Sequence, residues 1–200
     1  MCFCFGLVLF PPSALANSEN TYFEAISVAG KGDDVTAIRN LRNAVDHLSA
    51  TDPWHARMTA AASMLEMRWQ RSASPRFRNA EMHQILVEAH LRQHPIPARQ
   101  DVWLVGLMAT LMPGSGHAWQ GRWRDAEVAA FMVWPMLILT LWAARRRMGP
   151  VTVFFSLITL WLWSGTIFSA VSLVERGNDE QYILWWQELW LASGLQGSPW

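Results

Sequence analysis

Cysteine is almost missing from this 200-residue chain: Cys2 and Cys4 are its only two. Both lie in an N-terminal segment expected to be removed, so the remaining chain has no disulfide, no thiolate nucleophile and no cysteine metal ligand. Lysine occurs once, at Lys31, beside fifteen arginines, and the formal net charge is zero. With no long basic or acidic tract, nothing argues for a nucleic-acid partner. What charge there is gathers in one half. Residues 17–100 hold ten of the sixteen basic and nine of the sixteen acidic residues, whereas residues 101–200 are long apolar runs carrying eleven of the thirteen tryptophans. The expected class is therefore all-α: a signal peptide at 1–16, a soluble domain of antiparallel helical hairpins at 17–100, and a helical membrane domain at 101–200.

Residues 1–16 combine an apolar core from Phe3 to Phe10, a Pro11-Pro12 break and small residues at Ala14 and Ala16. This is the layout of a secretory signal, although no Lys or Arg precedes the core. A mature chain beginning at Asn17 is expected.

In the soluble half, Tyr22, Phe23, Ile26 and Val28 mark a short helix ended by Gly30 and Gly32, and Asp33 and Asp34 offer caps for the next one. Val35, Ile38, Leu41, Val45 and Leu48 then recur at helical spacing. A third helix opens at Asp52-Pro53, with Trp54, Met58, Ala61, Ala62, Leu65 and Trp69 on one face. A fourth, from about Asn79 to Arg92, is expected to turn Met82, Ile85, Leu86 and Ala89 inward before His94-Pro95-Ile96-Pro97 stops it. Gly32-Asp33 followed by Ala37-Ile38, Leu41 and Ala44-Val45 resembles the second half of a tetratricopeptide repeat. The resemblance implies a surface for a peptide or protein partner, formed by residues 17–100. His90 and His94 are spaced to share a helix face but are read as surface residues; neither a metal nor a cofactor is expected.

In the membrane half, 126–144 and 151–174 are apolar stretches long enough to cross the roughly 30 Å hydrocarbon core. Arg145, Arg146 and Arg147 lie between them, which by the positive-inside rule sets that loop in the cytoplasm and both outer ends in the periplasm. The expected location is a bacterial inner (cytoplasmic) membrane with an exported N-terminal domain. Val102 to Met112 covers only about 16 Å at helical rise. The segment 102–119 is therefore expected to form a short or re-entrant helix rather than a third span. Residues 181–195, opened by Asn178-Asp179-Glu180, are expected to form a separate interfacial helix.

Between the first short helix and the first span runs Pro113-Gly114-x-Gly116-His117-x-Trp119-x-Gly121-Arg122. This pattern resembles the PGxGQxYxG(R) signature of small bacterial membrane proteins related to the two-transmembrane-helix domain family, with His117 for the commoner glutamine and Trp119 for the commoner tyrosine. The resemblance implies an architecture and carries no chemistry. Glycines here permit positive φ and close helix approach, while Trp119 and Arg122 anchor the turn at headgroup level. The expected function is a non-enzymatic scaffold or adaptor that contacts membrane lipid and an envelope protein. An intramembrane hydrolase using Ser115 and His117, and a small-solute permease subunit, are the alternatives.

Overall fold

A computed structural model describes the backbone of residues 12–72, 74–75, 77 and 80–200, with side chains from Asn17 onward. The expected signal segment falls largely outside the described residues. Every regular element among them is helical, and the chain divides into two compact units, one of 1–96 with 183–200 and one of 97–182.

The first unit holds α1 (Pro12–Gly30), α2 (Asp34–His47), α3 (Pro53–Gln70) and α4 (Glu81–Gln93), together with the end of α8 (Gly149–Ala192). Local chemistry starts α2 and α3 as expected. Asp33 accepts from the Thr36 amide at 3.1 Å, and Asp52 accepts from the Trp54 amide at 2.8 Å ahead of Pro53. Tyr22 and Ile26 of α1, Ile38 and Leu41 of α2, and Met58 and Leu65 of α3 are buried, as a helical-hairpin array requires. Val35 and Trp69 depart from the expected pattern: they are exposed beside one shallow groove between α2 and α3, at the open edge of the array.

The final part of α8 differs most from expectation. Residues 181–192 are not a separate interfacial helix but the continuation of α8, and Trp186, Leu189 and Trp190 are fully buried within the first unit. Trp186 donates its indole N–H to the Met64 carbonyl at 3.0 Å, and Trp190 to that of Gly197 at 2.9 Å. The expected break at Asn178 does not occur because its side chain does not cap a helix. It accepts from the Gln100 amide at 2.9 Å and donates to the Gln100 carbonyl at 3.0 Å.

The C-terminal segment also explains α4. Its inward face carries His83, Val87, His90 and Leu91, whereas Met82 and Ile85 are 71% and 67% exposed and Leu86 and Ala89 are exposed with them. Spacing alone marks two candidate faces on this helix. Contacts from the far end of the chain choose between them: His83 Nδ1 lies 2.8 Å from the Ser193 carbonyl, and Trp185 donates to the His94 carbonyl at 3.0 Å.

Arg68 joins four segments of this unit. Its Nε donates to Asp34 at 2.9 Å, its Nη1 to the Pro199 carbonyl at 2.7 Å and its Nη2 to Ala29 at 3.2 Å and to Asp34, while the guanidinium lies 4.4 Å from the Trp186 ring centroid. Replacing Arg68 with Met should therefore cost about 3 kcal/mol, since it strands a half-buried Asp34 carboxylate and two carbonyls. Arg68→Lys should recover less than half of that loss, because an ammonium cannot make the forked contact. Denaturant midpoints of the purified full-length chain, read by tryptophan fluorescence, check both values.

Tyr22 supplies a pH signature for the same core. It donates to the Gln196 carbonyl at 2.7 Å, and burial pushes its phenol well above the ordinary tyrosine value despite the opposing pull of Arg57. A raised folded pKa means that stability is complete below the unfolded tyrosine pKa of about 10 and falls as the pH rises beyond it. Wild-type stability should drop more steeply than that of Tyr22→Phe above about pH 10. Parallel slopes for the two proteins would remove Tyr22 as the cause.

Candidate functional site

The second unit is built on α5 (Val102–Leu111), α6 (Ser115–Trp119), α7 (Trp123–Arg145) and the earlier part of α8. Both α7 and α8 are long and apolar enough to cross a membrane. They are antiparallel neighbours, with the Thr140 and Thr159 hydroxyls 3.1 Å apart. This register sets the start of α7 opposite the Glu175–Arg176 stretch of α8, close to where Asn178 holds Gln100 at the entrance to α5. The segment from Gln100 to Trp123 thus enters and leaves at the same end of the α7–α8 pair. It is a helical hairpin formed by α5 and α6.

This hairpin is held by small-residue packing and by side chains that satisfy its broken backbone. Val105 and Ala109 of α5 are buried against Ala170 and Val174 of α8. Trp163 donates its indole N–H to the Ala109 carbonyl at 3.1 Å, and Gln120 donates to the carbonyls of Gly116 and Ala170 at 3.0 and 3.1 Å. Those bonds matter because a carbonyl taken out of water without a donor costs several kcal/mol, on the order of its full desolvation penalty. Gln120 and Trp163 are the residues that reading the motif missed. Nothing in the local sequence distinguishes them from a surface amide and a lipid-facing indole.

Each motif residue has an identifiable place. Gly114 is left-handed, with φ of 90°, and a Cβ there would sit 2.5 Å from the Ala126 carbonyl oxygen of α7. At Gly116 a Cβ would meet the Ala109 and Ala170 methyls at 2.8 and 3.0 Å, so α5, α6 and α8 approach one another here. Gly121 has φ of 74° with open space around it, a turn requirement rather than a packing one. Pro113 is buried at the turn after α5, while Trp119 is exposed. Arg122 precedes α7 and donates from Nε to Asp125 at 2.6 Å. Arg145 ends α7, Arg146 stands over the Trp142 ring, and Arg147 takes a left-handed turn conformation between the two long helices.

Ser115 and His117 do not form a nucleophile–base pair in this geometry. The Ser115 hydroxyl donates instead to the Met108 and Met112 carbonyls, closing the C-terminal end of α5. His117 is only 4% exposed, and its Nδ1 is buried without a hydrogen-bond partner. It lines a cavity of about 830 Å³ bounded by α6, α7 and α8. Elsewhere, His90 and His94 stack face to face with ring centroids 4.5 Å apart, an arrangement that does not converge on a shared ion. No grouping of three or more metal-ligand side chains occurs among the described residues.

These contacts rank substitutions in the motif. Gly114→Ala combines a backbone clash with about 1–2 kcal/mol of left-handed strain, and should be the most damaging. Gly116→Ala should cost about 1–3 kcal/mol by overpacking, and Gly121→Ala about 1 kcal/mol by strain alone. Ser115→Ala should cost about 1 kcal/mol for its lost cap. Thermal unfolding of the four detergent-purified variants checks the order, and equal midpoints for Gly114→Ala and Gly121→Ala would refute it.

The chain matches no protein-family model, and neither a curated protein nor a solved structure is significantly similar to it.

Proposed function

We propose that this protein is a non-enzymatic membrane-anchored adaptor, with α7 and α8 crossing the bilayer of a bacterial inner membrane and the first unit presented to a protein partner on the exported side. Three consecutive arginines at the end of α7 and in the loop before α8 favour a cytoplasmic position for that loop. Ile96 and Ile183 belong to one compact unit, so the chain between them must make an even number of crossings. Two spans and a re-entrant hairpin satisfy this parity. An exported first unit also agrees with the secretory-signal layout of residues 1–16.

The observation that carries the adaptor reading is the outward face of α4. Met82, Ile85 and Leu86 form an apolar stripe at helical spacing that the first unit leaves uncovered. Such a stripe suits the apolar face of a partner helix, read through anchors a turn apart. The partner surface must be tested in the complete chain, because a fragment ending near residue 100 loses Trp186, Leu189 and Trp190 from its core.

A photo-crosslinking residue at position 85 of the full-length protein, activated in intact cells, should yield one discrete protein adduct. The same residue at Glu24, exposed on α1, should yield none. Met82→Glu should reduce the adduct at least tenfold while leaving membrane abundance unchanged. Crosslinking only to lipid or to a second copy of the chain would overturn the adaptor reading.

A further inference from the structure

The cavity beside His117 is long and graded in polarity. At one end it is lined by His117, Arg122 and Asp125, and at the other by Met132 and Trp161. Leu173, also in the lining, and Trp161 are twelve residues apart on α8, about 18 Å at helical rise. Gly165 forms part of the wall, and a Cβ there would meet nothing within 4 Å. The polar end coincides with the end of the helix pair where α7 begins, which is headgroup level if α7 and α8 cross a bilayer. The volume of about 830 Å³ is that of a ligand pocket rather than a packing defect.

Two groups at the polar end have unused hydrogen-bonding capacity. Arg122 spends Nε on Asp125, and its Nη1 and Nη2 have no hydrogen-bond partner among the described residues. His117 Nδ1 is buried and equally without one. A guanidinium with two free donors fits phosphate oxygens, and the buried His117 ring closes the wall beside it. Asp125 is already neutralised by Arg122, so it does not by itself repel an anion. A free phosphate would leave the apolar length of the cavity empty, and a plain hydrocarbon would leave these donors unmet.

We propose that this cavity is a phospholipid site, in which one acyl chain lies along Gly165 between Met132 and Trp161 while Arg122 holds the phosphodiester beside the His117 ring. The site rests on the membrane reading of α7 and α8, which alkaline carbonate extraction of membranes tests separately. It is independent of the partner surface on α4. The bound lipid would brace the re-entrant hairpin against both spans, because His117 belongs to α6, Arg122 precedes α7 and Gly165 belongs to α8.

Native mass spectrometry of the full-length protein in detergent provides the test, with three added probes: palmitoyl-lysophosphatidylglycerol, monopalmitoylglycerol and glycerol 3-phosphate. One equivalent of the lysophospholipid should bind, at least tenfold more tightly than either of the others. Gly165→Leu fills the groove where nothing stands in the way and should abolish that binding with an unchanged unfolding midpoint. Arg122→Gln should weaken it at least tenfold. Equal binding of monopalmitoylglycerol would reduce the site to an apolar groove, and tight binding of glycerol 3-phosphate would make it a free-anion site; either overturns the proposal. So would lysophospholipid binding that Gly165→Leu leaves intact. If Arg122→Gln fails to fold, the Gly165→Leu result decides alone.

Discussion

The structure depends on one helix, α8, whose residues belong to both compact units. At 44 residues, α8 runs about 66 Å, roughly twice what a hydrocarbon core requires. Its earlier length carries Ala170 and Val174, against which α5 packs, and its last turns supply Trp186 and Trp190, the two largest fully buried side chains of the first unit. A helix can do this only if nothing in its polar middle stops it. Around Gly177 and Asn178 the helix is kept because Asn178 turns its amide to Gln100 instead of capping a local end.

The α5–α6 hairpin follows from a second constraint, the need to bond every carbonyl where the backbone breaks away from water. A ten-residue α5 is too short to cross, and it ends at Pro113 and the left-handed Gly114, after which α6 starts in a new direction. Ser115, Gln120 and Trp163 each donate to carbonyls of this region, while Gly114 and Gly116 let α6 sit within van der Waals reach of α7, α5 and α8. Bonding and close packing therefore support each other. The same arrangement leaves His117 buried beside an elongated cavity with one nitrogen unpaired, at a cost in stability.

Much of the local structure was legible in the residues. The starts of α2 and α3 follow from Asp33 and Asp52-Pro53, and the core stripes of both helices largely follow from apolar spacing. The two long apolar helices and the turn at Pro113 to Gly121 follow from hydropathy and glycine placement. At α4 the same reasoning selected the wrong face, because Met82, Ile85 and Leu86 carry a stronger periodic signal than Val87 flanked by histidines. Periodicity identifies a face that is apolar, and burial additionally requires something to cover it.

The sequence by itself determined that the elements are helical and where α2 and α3 begin, since caps and breakers act within a few residues of their source, but not that α8 runs on through Asn178. Only the tertiary structure decided which faces are covered and which donors meet the carbonyls of the α5–α6 hairpin. Trp186 reaching Met64, Arg68 reaching Pro199 and Gln120 reaching Ala170 are contacts between residues that no local signal relates. They form because an indole, a guanidinium or an amide taken out of water must find an acceptor, and the nearest one in space lies far away along the chain.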